Sequence, residues 1–389
     1  MAITILQTPA VVSLAQSPII FSVSSSTDVA NSGFQYVCNL SYWTGSQSAS
    51  GSNFDYQLVK YPNTSYCGIF DLSRILNSTL TDLLAQNPSN VYYYKADFFN
   101  RYQVNGVYVN DTGSLVSSGV YKVIDGYGLF QEPIGQQIYN STPYWPIMTD
   151  GPATQSCFDT NTGRGAAYVG YSGDSATTIQ YQSNLGLSST YTLATSSLST
   201  QTEITDFPIG PAEGDFPFST IGLEWYTVVA SNVNTQVSEP IKYELTCNQQ
   251  YPNVRIKWKN RFGQFDYYNF NMVSRETFST EKRTYQPQLG SWNGRNLSYN
   301  NYDSQTQNYI VDSKQGLSVN SYWLSEAYND IFKQLLVSDE IYWVYDEEND
   351  LVKPLTITTS NITFKTHVVD KLIQYQFDFE IGQGYKLII

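Results

Sequence analysis

The stretch Asn253–Met272, NVRIKWKNRFGQFDYYNFNM, is the most regularly patterned part of the chain and decides its fold class. Apolar and cationic residues alternate in its first half, in the order Val254, Arg255, Ile256, Lys257, Trp258 and Lys259. A period of two is typical of a strand with one apolar face and one cationic face. Residues 260–263 have the composition of a turn, and residues 265–272 resemble a second, aromatic strand. The pattern predicts a β-hairpin at the start of a β domain.

The composition extends this prediction to the whole chain. The 389 residues are too many for one ordinary core, which favours two or three domains. There are 33 Tyr and 19 Phe, whereas only 14% of the residues are charged. Aromatic and β-branched residues favour strands, and Tyr also suits protein–protein contacts because it is large and stiff with a polar tip. We therefore expect a mainly β, multi-domain protein with much of its surface in contact with neighbours.

Changes in patterning along the chain predict three domains. Residues 1–130 contain short alternating strands separated by loops, which indicates an N-terminal β-sandwich. Residues 131–246 form a middle β domain with Ser/Thr-rich and Pro-rich loops. In it, apolar and polar residues alternate weakly over residues 185–205, which fits either edge strands or an extended arm that orders only against a partner. Residues 206–218 have the composition of a connecting loop. Residues 247–389 form a C-terminal β domain.

The C-terminal domain also carries a helix signal near residues 326–336. Ser325 is a suitable N-cap, with Glu326 in the first turn. One apolar stripe with helical spacing follows, formed by Ala327, Tyr328, Ile331, Phe332, Leu335 and Leu336. This spacing predicts one amphipathic helix packed on a sheet.

Two hairpins are predicted after this helix. The first joins Ile341–Tyr345 to Leu351–Thr358 across an acidic turn. The second joins Asn361–Val369 to Leu372–Ile381. In its last strand, apolar residues at odd positions from 373 to 381 alternate with polar residues, so register and burial are both well specified.

Charge is distributed unevenly, and this bears on the choice of partner. The net charge is −13, and residues 1–240 hold six Lys and Arg against 17 Asp and Glu. Such an acidic region repels phosphate, which argues against nucleic acid as the main partner. An acidic protein surface is a better partner for the cationic face, which makes four residues a candidate subunit interface: Arg255, Lys257, Lys259 and Arg261. The alternative is a solvated strand face. If the interface is correct, Lys257→Glu with Lys259→Glu should fold and impair assembly.

Residues suited to catalysis or metal binding are scarce. His367 is the only histidine, and a single strand histidine is most often structural. The four cysteines lie far apart, at positions 38, 67, 157 and 247, which favours buried thiols over a zinc site. No apolar run is long enough to span a membrane, and the N-terminus lacks a signal peptide pattern. We therefore predict a protein without catalytic residues, cofactor or metal, that does not act at a membrane.

Three motifs of the last third resemble a known family. They are RIKWKNRFGQFDYYNFNM at 255–272, WLSEAYNDIFKQLLVSDEIYWV at 323–344 and VVDKLIQYQFDFE at 368–380. They are similar to virion structural proteins of tailed phages of Bacteroidetes hosts, including crAss-like phages. In that family the first motif reads R-x-x-W-x-N-R-x-G-x-x-D-x-F-x-F, and Arg255, Trp258, Asn260 and Gly263 fit it. In the third motif, Val369 stands where the family usually has Asn. SPIIFSV at 17–23 and GIFDLSRIL at 68–76 resemble the family's N-terminal part.

The resemblance implies a structural role and transfers no catalytic residue. It implies a tail ring, collar or baseplate-type subunit that forms a symmetric homo-oligomer, with six- or twelve-fold symmetry, and joins other tail or neck proteins. The location implied is the virion tail, after synthesis in the host cytoplasm.

Two other function classes stay open at this point. The aromatic residues could line a carbohydrate- or receptor-binding module at a tail tip, because rings stack on sugar faces. A glycan-degrading enzyme would need a pair of carboxylates, and no spacing in the sequence singles out such a pair.

Overall fold

The computed structural model of the protein describes residues 3–10, 12–25, 28–44, 54–80, 92–128, 147–169, 178–193, 203–232, 235–236, 238–246, 251–288, 290–298, 300–347, 351–366, 373–382 and 386–388. Of these residues, 54% lie in strands and 7% in helices. The prediction of a mainly β protein is therefore confirmed.

The chain divides into two compact units. The first comprises residues 1–247 together with the segment Lys259–Asp266, and the second comprises Asn248–Trp258 and Tyr267–Ile389. The eight-residue segment thus belongs to a different unit from the residues on either side of it. The predicted boundary near residue 130 stays a prediction.

The first part of the first unit holds two sheets. Its strands are β1 (Thr4–Gln7), β2 (Val12–Leu14), β3 (Ile20–Ser24), β4 (Gln35–Thr44), β5 (Tyr56–Lys60), β6 (Cys67–Asp71), β7 (Tyr92–Val104), β8 (Val107–Ser117) and β9 (Tyr121–Ile124). One sheet has the order β1-β3-β6, and the other has the order β2-β9-β7-β4-β5 with β8 also paired to β7. The β2–β9 pair is parallel, whereas the others are antiparallel. A 3-10 turn (Asp28–Ala30) and helix α1 (Ser73–Thr79) complete this part.

Side chains from both sheets form one apolar core. Alternate residues of β4, Tyr36, Cys38 and Leu40, are fully buried in it. Phe21 of β3 lies against Phe98 of β7 with ring centroids 5.3 Å apart. The period-two pattern read from the sequence thus directs one face of β4 into this core.

The second part of the first unit contains the remaining strands up to residue 245. They are β10 (Thr154–Cys157), β11 (Arg164–Val169), β12 (Thr178–Ser183), β13 (Ser188–Thr192), β14 (Glu203–Pro208), β15 (Trp225–Asn232), β16 (Thr235–Gln236) and β17 (Ile241–Leu245). Six of them form a sheet of order β10-β17-β15-β12-β13 with β16 on β15, and β11 pairs with β14. β13 lies at one end of its sheet, as an edge strand would; residues 194–202, the middle of the weakly alternating stretch 185–205, lie outside the described part. The predicted loop at 206–218 is strand up to Pro208 and has no strand beyond it.

The second unit is built on one large sheet. Its strands are β18 (Val254–Lys259), β19 (Phe265–Phe270), β20 (Arg275–Tyr285), β21 (Ser291–Trp292), β22 (Leu297–Ser298), β23 (Gln307–Asn320), β24 (Ile341–Asp346), β25 (Leu351–Ile357), β26 (Gln376–Ile381) and β27 (Lys386–Ile388). The sheet has the order β19-β18-β24-β25-β26-β23-β20 with β27 on β23, and β21 pairs with β22 separately. The opening hairpin and the β24–β25 hairpin are therefore present as predicted.

The predicted helix is also confirmed. It begins with a 3-10 turn, Glu326–Tyr328, and continues as α2 (Asn329–Val337). Ser325 occupies the N-cap position, but its side chain makes no capping hydrogen bond. Phe332 is fully buried, and its ring centroid lies 5.1 Å from that of Phe377 in β26. The amphipathic pattern thus packs the helix on the sheet.

The last predicted hairpin is wrong in its pairing. The apolar residues of 373–381 are buried as expected, with exposures from 0% to 4%. However, residues 361–366 form no strand, and residues 367–372 lie outside the described part. β26 pairs instead with β23 and β25, which come from earlier in the chain. Alternation specified the buried face of this strand but not its neighbours.

Candidate interaction surfaces

The four cationic residues proposed as a subunit interface are buried. The exposed fractions of Arg255, Lys257, Lys259 and Arg261 are 5%, 6%, 5% and 3%. All six residues of β18 are buried, so the strand does not have one apolar and one solvated face. Both expectations for this stripe, a subunit contact and a solvated face, assumed exposed side chains. Both expectations are therefore wrong: the four cationic side chains are buried, and we no longer assign them to an interface.

Arg255 has its partners within the second unit. Its guanidinium carbon lies 4.7 Å from the centre of the Tyr267 ring, and its Nη1 donates to Asn269 Oδ1 at 3.1 Å. Its Nε is 3.9 Å from Glu347 Oε2. An aromatic face and a carboxylate are both favourable surroundings for a buried guanidinium.

The segment Lys259–Asp266 pairs its cations with acids of the first unit. Lys259 Nζ is 2.6 Å from Asp125 Oδ2. Arg261 binds Asp150 through two nitrogens: Nε contacts Oδ2, and Nη2 donates to Oδ1 at 3.2 Å. Both acids lie more than a hundred residues earlier in the chain, so their pairing with the stripe cannot be seen in local sequence. Pairing of this kind offsets the large cost of removing a charge from water, and loss of either partner would leave a buried charge uncompensated.

The tight turn inside this segment is specified by Asn260 and Gly263. The Asn260 side chain accepts from the backbone N–H groups of Phe262 and Gln264, both at 3.0 Å, and donates to the Met148 carbonyl at 2.9 Å. Gly263 has φ of 74°, which favours glycine. A Cβ at that position would lie 1.6 Å from the Asp125 carbonyl oxygen, so no side chain fits there. Asn and Gly in this segment therefore serve packing.

An aromatic ring and a carboxyl complete the packing of the segment. Phe262 is fully buried among Val12, Leu14, Ile124, Met148, Ala166 and Ile204. The carboxyl of Asp266 accepts from the Thr149 hydroxyl at 2.7 Å. Burial raises the pKa of Asp266 to about 7, although the Thr149 and Asn260 side chains act to lower it. Asp266 is consequently titratable near neutral pH within the core of the first unit.

These contacts define what the opening motif does chemically. Arg255, Lys259 and Arg261 each have a carboxylate partner in the same chain. Their charge is therefore balanced internally and does not form a surface for an anion. The motif that the sequence marks most clearly is a structural one.

A different surface stands out by exposure, and the sequence did not point to it. We name residues 273–320 the arm: it comprises β20, β23 and the connection that carries the β21–β22 pair. β20 runs antiparallel to β23 from Arg275 opposite Ser318 to Tyr285 opposite Gln307. All eleven residues of β20 are exposed, on both faces of the strand. β20 therefore contributes no buried side chain to a core.

Large apolar side chains lie exposed along the arm. The exposed fractions are 59% for Phe278, 63% for Trp292 and 84% for Tyr302. Tyr285 and Tyr309 are exposed at 47% and 40%, with their ring centres 6.2 Å apart. Large exposed aromatic side chains are typical of surfaces that meet another molecule. The available sequence signal was negative: RETFSTEKRTY has no alternating apolar face to bury.

Sites for metal or redox chemistry do not emerge from the described ranges. No group of three or more His, Cys, Asp or Glu side chains in them could hold a metal ion. Cys38, Cys67 and Cys157 are not in disulfides; Cys38 and Cys157 are buried and Cys67 is half-buried. His367 lies outside the described residues, as does part of the acidic turn at 346–350. No helix in the described part of the chain is long and apolar enough to cross a membrane.

Comparison with known proteins adds no identification. The chain matches no protein-family model and no curated protein.

Proposed function

We propose that this protein is a structural subunit of a bacteriophage virion, of the tail ring, collar or baseplate type, that self-assembles into a symmetric oligomer and joins neighbouring tail components. The observation that carries the proposal is the arm: an eleven-residue strand exposed on both faces, with large aromatic side chains beyond it. Besides its pairing with β23, such a strand would gain stabilisation from contact with another molecule, because it buries little apolar surface of its own. The motifs quoted above supply the phage assignment.

A multi-domain sandwich architecture belongs to the same proposal. It is supported by the one core that two sheets of the first 124 residues share. A six- or twelve-fold ring of such subunits, located in the virion tail after synthesis in the host cytoplasm, is the assembly we propose. In this role the protein has no catalytic site and requires no cofactor, nucleic acid or membrane.

Assembly of the full-length chain tests the proposal. The purified protein, alone and mixed with the tail and neck proteins encoded beside it, is examined by light scattering after size exclusion and by negative-stain electron microscopy. We expect rings of six or twelve copies, and labelled antibody against the protein should bind at the tail of intact particles. Protein that stays monomeric in every mixture would refute the structural role.

Variants of the arm sharpen this test. Trp292→Ser with Tyr302→Ser should leave the melting temperature unchanged, because both side chains are exposed, and should impair assembly. Val337→Ser is a matched control, since Val337 is 65% exposed in the same unit but lies outside the arm. Rings formed equally well by all three proteins would remove the arm from assembly. Binding to a glycan array that is lost in the double variant would instead favour a carbohydrate-binding tail-tip module.

A further inference from the structure

β20 lies at one end of the large sheet, and its outer edge has no partner among the described strands. Among the described strands β20 pairs only with β23, and it is last in the sheet order. Eleven residues of strand extend for roughly 36 Å, at about 3.3 Å per residue. An exposed edge of this length is a template for pairing with another strand. The question is which strand fits it.

We propose that β20 pairs antiparallel with β20 of a second copy of this chain, about a two-fold axis that passes beside Phe278. The axis stands normal to the sheet, so it keeps each residue on the same face in both copies. Residues directly opposite one another must then be both odd-numbered or both even-numbered. This condition leaves few registers, and each can be judged by its cross-strand pairs.

The register centred on Phe278 is complementary in charge and in shape. It sets Arg275 opposite Glu281 of the second copy, and the symmetry makes this ion pair twice. Thr277 lies opposite Ser279, and the two Phe278 rings face each other. Phe278 is 59% exposed and the Glu281 side chain is 75% exposed. Within its own strand Glu281 lies 4.0 Å from Arg283, a solvated contact of little strength that leaves the carboxylate able to meet Arg275.

Neighbouring registers are poorer. Centring on Ser279 sets Glu276 opposite Lys282 twice but also Arg275 opposite Arg283 twice, so the attraction is offset by repulsion. A register centred on Thr280 sets Phe278 opposite Lys282 and forms no ion pair. With Thr277 at the centre, Glu276 faces Phe278. Opposite charges directly across an antiparallel pair stabilise it and like charges destabilise it, so the Phe278 register is favoured over all three.

The same charges explain why the edge would select its own copy. Charged side chains on an edge strand normally prevent pairing with unrelated strands. Arg275 and Glu281 disfavour pairing with a strand that lacks opposite charges at the same spacing, whereas they form ion pairs with a second β20. Attraction to one partner together with mismatch to others is how interfaces gain specificity. The contact is isologous, because the same residues serve both copies.

Charge reversal tests the pairing directly. Arg275→Glu alone sets Glu opposite Glu281 twice and should weaken dimerisation by roughly 10- to 100-fold. Glu281→Arg alone should do the same. The double variant Arg275→Glu with Glu281→Arg restores both ion pairs and should return the affinity to within about threefold of the wild type. Sedimentation velocity over a concentration series gives the constants, and the melting temperature should stay the same because the sites are exposed. A double variant as weak as the single ones would refute the register.

Cross-linking provides a second measurement. Directly opposed residues in an antiparallel pair have Cα atoms about 4.5–5.5 Å apart, within the range of a disulfide. Phe278→Cys should therefore form a covalent dimer under mild oxidation. Thr280→Cys is the matched control, since in this register Thr280 faces Glu276 and lies about 13 Å from Thr280 of the second copy. Wild-type protein treated in parallel sets the background from the native cysteines. Equal cross-linking of both variants would overturn the proposal.

The outcomes separate this inference from the proposed function, on which it does not rest. Rings that assemble normally from Arg275→Glu protein, without a loss of pairwise affinity, would refute the β20 contact and leave the virion role standing. Dimers that follow the charge-swap pattern but never form rings would support the β20 contact and count against the ring.

Discussion

Replacement of Asp266 by Asn should stabilise the first unit, and the gain should grow with pH. The carboxyl is buried, and burial raises its pKa to about 7 from an ordinary value of 3.8. A proton is thus held more tightly in the folded state than in the unfolded one. The contribution of this carboxyl to the unfolding free energy is complete below about pH 4, falls as pH rises towards 7 and is lost above that. At about 1.36 kcal/mol for each pH unit, the loss is on the order of 4 kcal/mol.

Asn is the suitable replacement because it keeps the shape of the carboxyl and does not ionise. Its side-chain oxygen can still accept from the Thr149 hydroxyl, which lies 2.7 Å from Asp266 Oδ1 in the wild type. The difference in unfolding free energy between Asp266→Asn and the wild type should therefore be small at pH 4 and approach about 4 kcal/mol at pH 8. Asp159→Asn, at an exposed position in the same unit, is the control.

Urea unfolding at half-unit steps from pH 4 to pH 8 measures this difference. Because the chain has two compact units, the transitions of the two must be resolved, for example by hydrogen exchange of peptides from residues 259–266. A free-energy difference that is the same at pH 4 and pH 8 would show that Asp266 does not titrate in the folded protein and would refute the reasoning. A free-energy difference that becomes smaller as pH rises would mean that folding lowers the pKa of Asp266, and it would refute the reasoning more strongly.

Two further predictions concern this segment and the strand that precedes it. Phe262→Ala should destabilise the first unit by about 3–5 kcal/mol, because the ring is fully buried and its loss leaves a cavity; urea unfolding beside the exposed control Trp292→Ala checks this, and equal stability of the two variants would contradict it. Lys257→Glu with Lys259→Glu should now fail to fold normally, rather than fold and impair assembly. Both side chains are buried, and the carboxylate introduced at position 259 would lie against the carboxylate of Asp125. A circular dichroism melt unchanged from the wild type would show that the cations are solvated after all.

The parts of the fold that were predictable depend on local pattern. The strand alternation at 373–381 specifies a buried face, and the apolar stripe at 326–336 specifies α2 packed on a sheet. Both follow from side-chain period alone. What local pattern cannot specify is pairing between distant segments. The partners of β26 are β23 and β25, and nothing within residues 361–381 distinguishes them from the adjacent segment that we expected to pair.

The misreading of the cationic stripe has the same origin. Alternation assigns the charged face of β18 to solvent unless each charge has a buried partner. The partners are Asp125, Asp150 and Glu347, which are distant in sequence and unremarkable in their own surroundings. A stronger signal was available in Asn260 and Gly263, because Asn and Gly together specify a tight turn whose backbone packs closely. That turn is where Asp125 and Gly263 meet.

Charge distribution explains why the arm is the part of the chain best suited to meet a second copy. Residues 1–240 hold six cationic and 17 acidic side chains, so two such regions brought together repel each other. Arg255, Lys259 and Arg261 do not relieve this between copies, because they are buried with acids of their own chain. Residues 273–320 hold five cationic and four acidic side chains, so two arms approach without net repulsion. The order of those charges along β20 then decides the register, and the aromatic rings beyond it supply apolar area. Self-association of this chain is therefore expected to depend on residues of the arm. Added salt should lower its affinity only by the share that the two Arg275–Glu281 pairs contribute.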